Sequence, residues 1–152
     1  MLFLWLVGVV IECFWERLPF AILYVAAGGV ATLAHHLASP DSMVPLIGAS
    51  GAIAGLMGAF VVGHPRTKIK VFYAAWVIRP LVGTMSVAAW LLIPAWVALQ
   101  IGYALLFPGD GVAYWAHVGG FAAGVIGALI MRWGGWVVYD AEQVLGEKAE
   151  SR

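Results

Sequence analysis

Three stretches of this sequence, residues 43–63, 86–107 and 112–131, each run for about twenty residues without a lysine, arginine, aspartate or glutamate. A helix of that length, rising ~1.5 Å per residue, matches the ~30 Å hydrocarbon core of a bilayer. No water is present there to bond a stray peptide group, so such segments must close their hydrogen bonds internally as helices. Two more apolar segments, 1–14 and 19–34, bring the expectation to five spans. Charged residues make up 11% of the chain and hydrophobic ones 63%, where a water-soluble domain carries about 25% charged residues. Eight tryptophans and five tyrosines suit aromatic belts at two membrane interfaces. The expected fold class is an all-α, polytopic membrane helical bundle. Residues 71–82 are mostly apolar but contain Arg79 and Pro80, and are expected to lie along the interface.

Orientation follows from the basic side chains. Arg17 falls between the first two spans; Arg66, Lys68, Lys70 and Arg79 fall between the third and fourth; Arg132, Lys148 and Arg152 follow the fifth. A five-span zigzag puts all of them on one side, which the positive-inside rule makes the cytoplasm. The opposite side receives HHLASPDS and FPGDG, which have no lysine or arginine. The tail, 134–152, is then cytoplasmic, and the expected location is a bacterial-type inner membrane. With this topology Met1 starts outside with nothing basic before it, and the first span is short. The chain is therefore expected to be the C-terminal part of a longer protein.

Several function classes are disfavoured. Net charge is zero and the charges are clustered, so nucleic acid is not an expected partner. Cys13 is the only cysteine, which rules out an intrachain disulfide and a thiolate metal cluster. His35 and His36 are adjacent and face different directions, and His64 belongs to the other side, so no metal site is expected. No ring of charge lines any span, as a channel would need. No cofactor is indicated.

Polar side chains at membrane depth are the informative minority. Here they are Glu12, Thr32, Ser50, Gln100 and His117. Glu12 is placed to cap a neighbour or pair with Arg17, Thr32 to bond its own helix backbone, and Gln100 to bond between helices. Ser50 and His117 differ, because both enter from the outer side. Ser50 is seven residues after Met43 and His117 six after Gly111, which places both roughly 9–10 Å below the same face. Gly48, Gly51, Gly55 and Gly58 form one stripe of small residues, and Gly120, Gly124 and Gly127 another. Such stripes let two helix backbones approach closely. Ser50 flanks its stripe and His117 lies nearly on its own, so close packing permits a Ser–His hydrogen bond without requiring it. A serine hydroxyl becomes a nucleophile when a base takes its proton, and a histidine suits that task. Pro45 and Gly48 suggest a chain that dips inward as a loop and turns helical only near Ser50. Free N–H groups at that helix start, around Gly48, Ala49 and Gly51, would face an incoming carbonyl. The alternative for a serine among glycines is simple helix packing.

GASGAIAG (48–55), followed some sixty residues later by AYWAHVGGFAAG (113–124), closely resembles the rhomboid intramembrane serine proteases. The resemblance runs from residue 1 to about 133 and includes the VIE and ERL stretch near Glu12 and Glu16. It implies a Ser–His dyad without an acidic third member, Ser50 as nucleophile and His117 as base and then acid. It implies a rhomboid-like membrane domain over 1–133 whose partners are the lipid bilayer and transmembrane protein substrates entering sideways. The Ser50 N–H would contribute to the oxyanion hole, and Gly120 and Gly124 match the packing glycines after the histidine. Trp96 and Gln100 would lie on the substrate gate, and FPGDG would form a capping loop. The family core has six spans, and this chain resembles the last five. The first helix, and the His and Asn oxyanion donors of the second, would precede Met1. The aromatic residue often found one turn after the serine is Ala54 here. The rival reading is a rhomboid-like protein or fragment that binds transmembrane helices without cleaving them.

Overall fold

A computed structural model describes residues 8, 11, 12, 15–41, 49–76, 80–107 and 111–136. The elements are α1 (Arg17–Ala38), α2 (Ser50–Gly63), β1 (Lys68–Trp76), β2 (Pro80–Ala88), α3 (Ala89–Leu106) and α4 (Tyr114–Trp133). Most of the expected first span, residues 42–48 with the expected inward-dipping stretch, residues 77–79, 108–110 of FPGDG and residues 137–152 lie outside the described residues.

Three helices, α1, α3 and α4, are long and apolar enough to cross a membrane, and α2 is a shorter apolar helix of 14 residues. The expectation of five spans is thus met by three among the described residues. α1 runs beyond the expected 19–34 at both ends. Pro19 fits its first turn, where the backbone N–H groups have no partner inside the helix. Thr32 donates its hydroxyl to the Gly28 carbonyl at 3.0 Å, as expected of a hydroxyl in an apolar helix. The guanidinium of Arg17 lies 3.8 Å from the Glu12 carboxylate. Both groups are exposed, so this pair adds little stability.

The all-α expectation is corrected by an antiparallel hairpin. β1 and β2 pair from Lys68 with Ala88 to Trp76 with Pro80, so the described part of residues 71–82 is divided between two paired strands. The run from Lys68 to Val71 alternates polar and apolar side chains, with β-branched residues at 69 and 71, and that period of two belongs to a strand. Residues 86–88 belong to β2, and the following helix starts at Ala89. A two-stranded ribbon is marginal alone. Here its base is tied by the Ala89 N–H donating to the Thr67 carbonyl at 2.9 Å and the Trp90 N–H to Pro65 at 3.0 Å. Its open edges are incompatible with hydrocarbon, and it connects the end of α2 to the start of α3.

The helices divide by how closely they pack. In α2 every residue from Gly51 to Phe60 is buried, which makes it the central helix. A side chain on Gly120 would collide with the Gly51 carbonyl, and one on Gly124 with the Gly55 carbonyl. A side chain on Gly58 would meet the Phe121 carbonyl. α2 and α4 therefore run parallel in backbone-to-backbone contact at Gly51, Gly55 and Gly58 of one expected stripe and Gly120 and Gly124 of the other. α1 runs antiparallel to both, with Ala31 against Gly51, Ala27 against Gly55, Ala34 against Gly119 and Leu23 against Gly127. Below these contacts Ile11, Trp15, Leu23, Leu56 and Phe60 form the apolar core. α3 is different. It buries only Ala89, Ile93, Val97 and Gln100, one stripe, and its Gly102 faces open space.

Gly124→Ala forces a methyl into the Gly55 carbonyl and is expected to cost about 1–3 kcal/mol, whereas Gly102→Ala is neutral or slightly stabilising. Thermal unfolding in detergent checks this; equal melting of the Gly124 variant and the parent would contradict the packing described.

Candidate active site

Ser50 is the first residue of α2, directly after Ala49 at the N-cap. The N–H groups of the first helical turn have no partner within the helix, and the helix dipole is positive there. Ser50 itself is exposed while the ten residues after it are buried, so its hydroxyl opens from a fully packed helix onto accessible space. His117 occupies the first turn of α4, which begins at Tyr114. Because α2 and α4 are parallel and in register at Gly51–Gly120, their first turns lie side by side. A side chain on Gly51 would sit 3.4 Å from the Ala116 carbonyl. His117 Nε2 consequently lies 3.0 Å from Ser50 Oγ, within hydrogen-bond distance.

The other ring nitrogen is also engaged. His117 Nδ1 lies 2.8 Å from Gln100 Oε1 on α3. The Trp96 ring, one turn earlier on α3, stands with its centroid 5.7 Å from the imidazole at an interplanar angle of 37°. One turn beyond Gln100, Tyr103 stacks on Tyr114 at 5.6 Å and 18°. The site thus has three walls: α2 supplies a hydroxyl at a helix N-terminus, α4 an imidazole, and α3 an amide and an indole.

The rhomboid domain model matches residues 1–134. The chain belongs to the rhomboid family. No curated protein and no solved structure matches it. Rhomboid domains are those of intramembrane serine proteases, and membership together with the apolar helices makes this an integral, multi-pass membrane protein.

Within the rhomboid frame the expected site residues fall into distinct groups. Ser50 and His117 are brought together. Ala49 is half-buried at the start of α2, and Gly48 lies outside the described residues. Gly51, Gly120 and Gly124 sit beneath the pair, where they let α2 and α4 touch, and do not line the site. Trp96 and Gln100 both contact His117. The position one turn after the serine, Ala54, is fully buried, and the ring contact to the histidine comes from Trp96 on another helix.

The remaining histidines lie elsewhere. His35 is buried near the C-terminus of α1, with neither ring nitrogen hydrogen-bonded among the described residues, and His36 is exposed. His64 caps the far end of α2, where burial lowers its pKa below the ordinary histidine value. No cluster suited to a metal ion occurs among the described residues.

Sequence reasoning placed Gln100 between helices but did not identify His117 as its partner, and it missed the Tyr103–Tyr114 stack. The available signal was the spacing Trp96, Gln100, Tyr103, which puts all three on one face of a helix. The register of that face against α4 was not readable.

Proposed function

We propose that this chain is an intramembrane serine endopeptidase that cleaves transmembrane segments of other membrane proteins. The observation that carries the reading is the 3.0 Å approach of Ser50 Oγ to His117 Nε2, at the start of two helices, in a rhomboid domain. In this mechanism Ser50 Oγ attacks the scissile carbonyl carbon as its proton passes to His117 Nε2. The carbonyl oxygen becomes an oxyanion, stabilised by N–H groups at the start of α2, that of Ser50 among them. The tetrahedral intermediate then expels the amine, which takes the proton from the imidazolium and leaves with the C-terminal part of the substrate. Water, deprotonated by His117, attacks the acyl-serine, and the acid product departs as Ser50 recovers its proton. Each step shuttles one proton through Nε2, so no metal ion or cofactor is required.

The substrate path and orientation belong to the same proposal. Loosely packed α3 is the side through which a substrate helix would enter, with Trp96 and Gln100 at its inner face. Arg17 starts α1, Arg66, Lys68 and Lys70 follow α2, and Arg132 lies in the last turn of α4. Given the antiparallel run of α1, these five are all at the end of the bundle away from Ser50. That supports a cytoplasmic hairpin and tail (134–152), with the site near the outer face of a bacterial-type inner membrane.

The test is cleavage of a reporter transmembrane segment with small residues near its outer end, by the purified chain in liposomes. Ser50→Ala and His117→Ala are each expected to lower the rate by up to ~10⁶-fold, below detection. Cleavage by Ser50→Ala at the parent rate, or a parent that binds the segment without cutting it, would overturn the reading.

A further inference from the structure

The rhomboid resemblance implies a two-residue site, but His117 has a second bonded partner. Gln100 is 9% exposed, lies in the interior stripe of α3, and presents Oε1 2.8 Å from His117 Nδ1. A carbonyl oxygen only accepts, so this bond forms when Nδ1 carries the ring proton. A neutral imidazole holds one proton, and Nε2 is then left as the bare acceptor facing Ser50 Oγ. The opposite tautomer would require the Gln100 amide to turn its NH2 toward Nδ1, and it would point an N–H at the serine, leaving no base for its proton.

From this we infer that Gln100 is a positioning residue, the third member of the site. It fixes His117 in the Nδ1–H tautomer and stays bonded to Nδ1–H when Nε2 takes the serine proton. The role resembles that of the carboxylate behind the histidine in a serine protease triad, supplied here by an amide. A neutral amide suits a span, where a carboxylate is costly to bury. Trp96, one turn away, bounds the ring on its face, so the two α3 side chains restrict the imidazole in tilt and in plane. Both come from the helix that lacks glycine-mediated backbone contact, so any outward movement of α3 withdraws the positioning bond.

This inference rests on the protease reading, and the experiment separates the two. Gln100→Leu removes the acceptor at similar volume, and Gln100→Glu keeps an acceptor oxygen in either protonation state. In the liposome assay Gln100→Leu is expected to lower kcat about 10–100-fold with KM within twofold, the range typical of a lost orienting partner. Gln100→Glu is expected to recover most of that loss. Alongside, ¹⁵N NMR of histidine-labelled protein in detergent, assigned by subtraction with His117→Ala, reports the tautomer directly. The parent is expected to carry the proton on Nδ1, and a folded Gln100→Leu to lose that preference. Nε2–H in the parent, or Gln100→Leu retaining both the Nδ1–H signal and the parent kcat, overturns the positioning role. A parent with Nδ1–H that cleaves nothing removes the protease reading and leaves the Gln100–His117 pairing standing.

Discussion

The contact on which the rest of the molecule depends is the backbone-to-backbone approach of α2 and α4. Side chains normally hold helix axes 8–10 Å apart. Here Gly51, Gly55 and Gly58 meet Gly120, Phe121 and Gly124 with almost nothing between the main chains. Apolar side chains gain little from leaving lipid for each other, so helix association in a bilayer relies on close packing and hydrogen bonds. The glycines make that packing dense, and they also fix register: Gly51 opposite Gly120 sets the starts of the two helices at one level. Ser50, one residue before Gly51, and His117, one turn before Gly120, then fall within 3.0 Å. The polar pair is a geometric consequence of the glycine contact beneath it.

The three tightly packed helices and α3 divide the labour. α1 braces the α2–α4 contact with Ala27, Ala31 and Ala34, small residues that fill the spaces above the glycines. α3 touches this unit along a single stripe and reaches the site through side chains alone. It nevertheless carries Gln100 and Trp96, the partners of the imidazole other than Ser50 among the described residues. A rigid scaffold thus fixes where the histidine is, and a more loosely held helix fixes how its ring is oriented.

Much of this was legible in the sequence. Uncharged runs of membrane-spanning length gave α3 and α4 nearly whole, and Gly51, Gly55 and Gly58 of one stripe meet α4 at Gly120 and Gly124 of the other, whereas Gly127 faces Leu23 of α1. Counting residues from the outer boundary put Ser50 and His117 at one depth, because both helices enter from the same side. The hairpin was not anticipated, since Val71 to Val82 is a mostly apolar run broken by Arg79 and Pro80, and its period-two signal is confined to Lys68–Val71. Its pairing register is a non-local property of the chain. The Gln100–His117 bond was hidden for a similar reason: spacing along α3 fixes which side chains share a face but not which turn of α4 they meet.

The glycine contact is what seats Ser50 against His117. The most direct measurement is the rate at which a fluorophosphonate labels Ser50 in Gly120→Ala beside the parent, with Ser50→Ala as the blank. Gly120→Ala places a methyl against the Gly51 carbonyl and separates the helices at the level of the pair. A variant that keeps its helical content but labels at least about tenfold more slowly is the predicted result, since loss of the base deactivates the hydroxyl. Labelling of Gly120→Ala at the parent rate would mean that the approach of α2 to α4 does not set the pair.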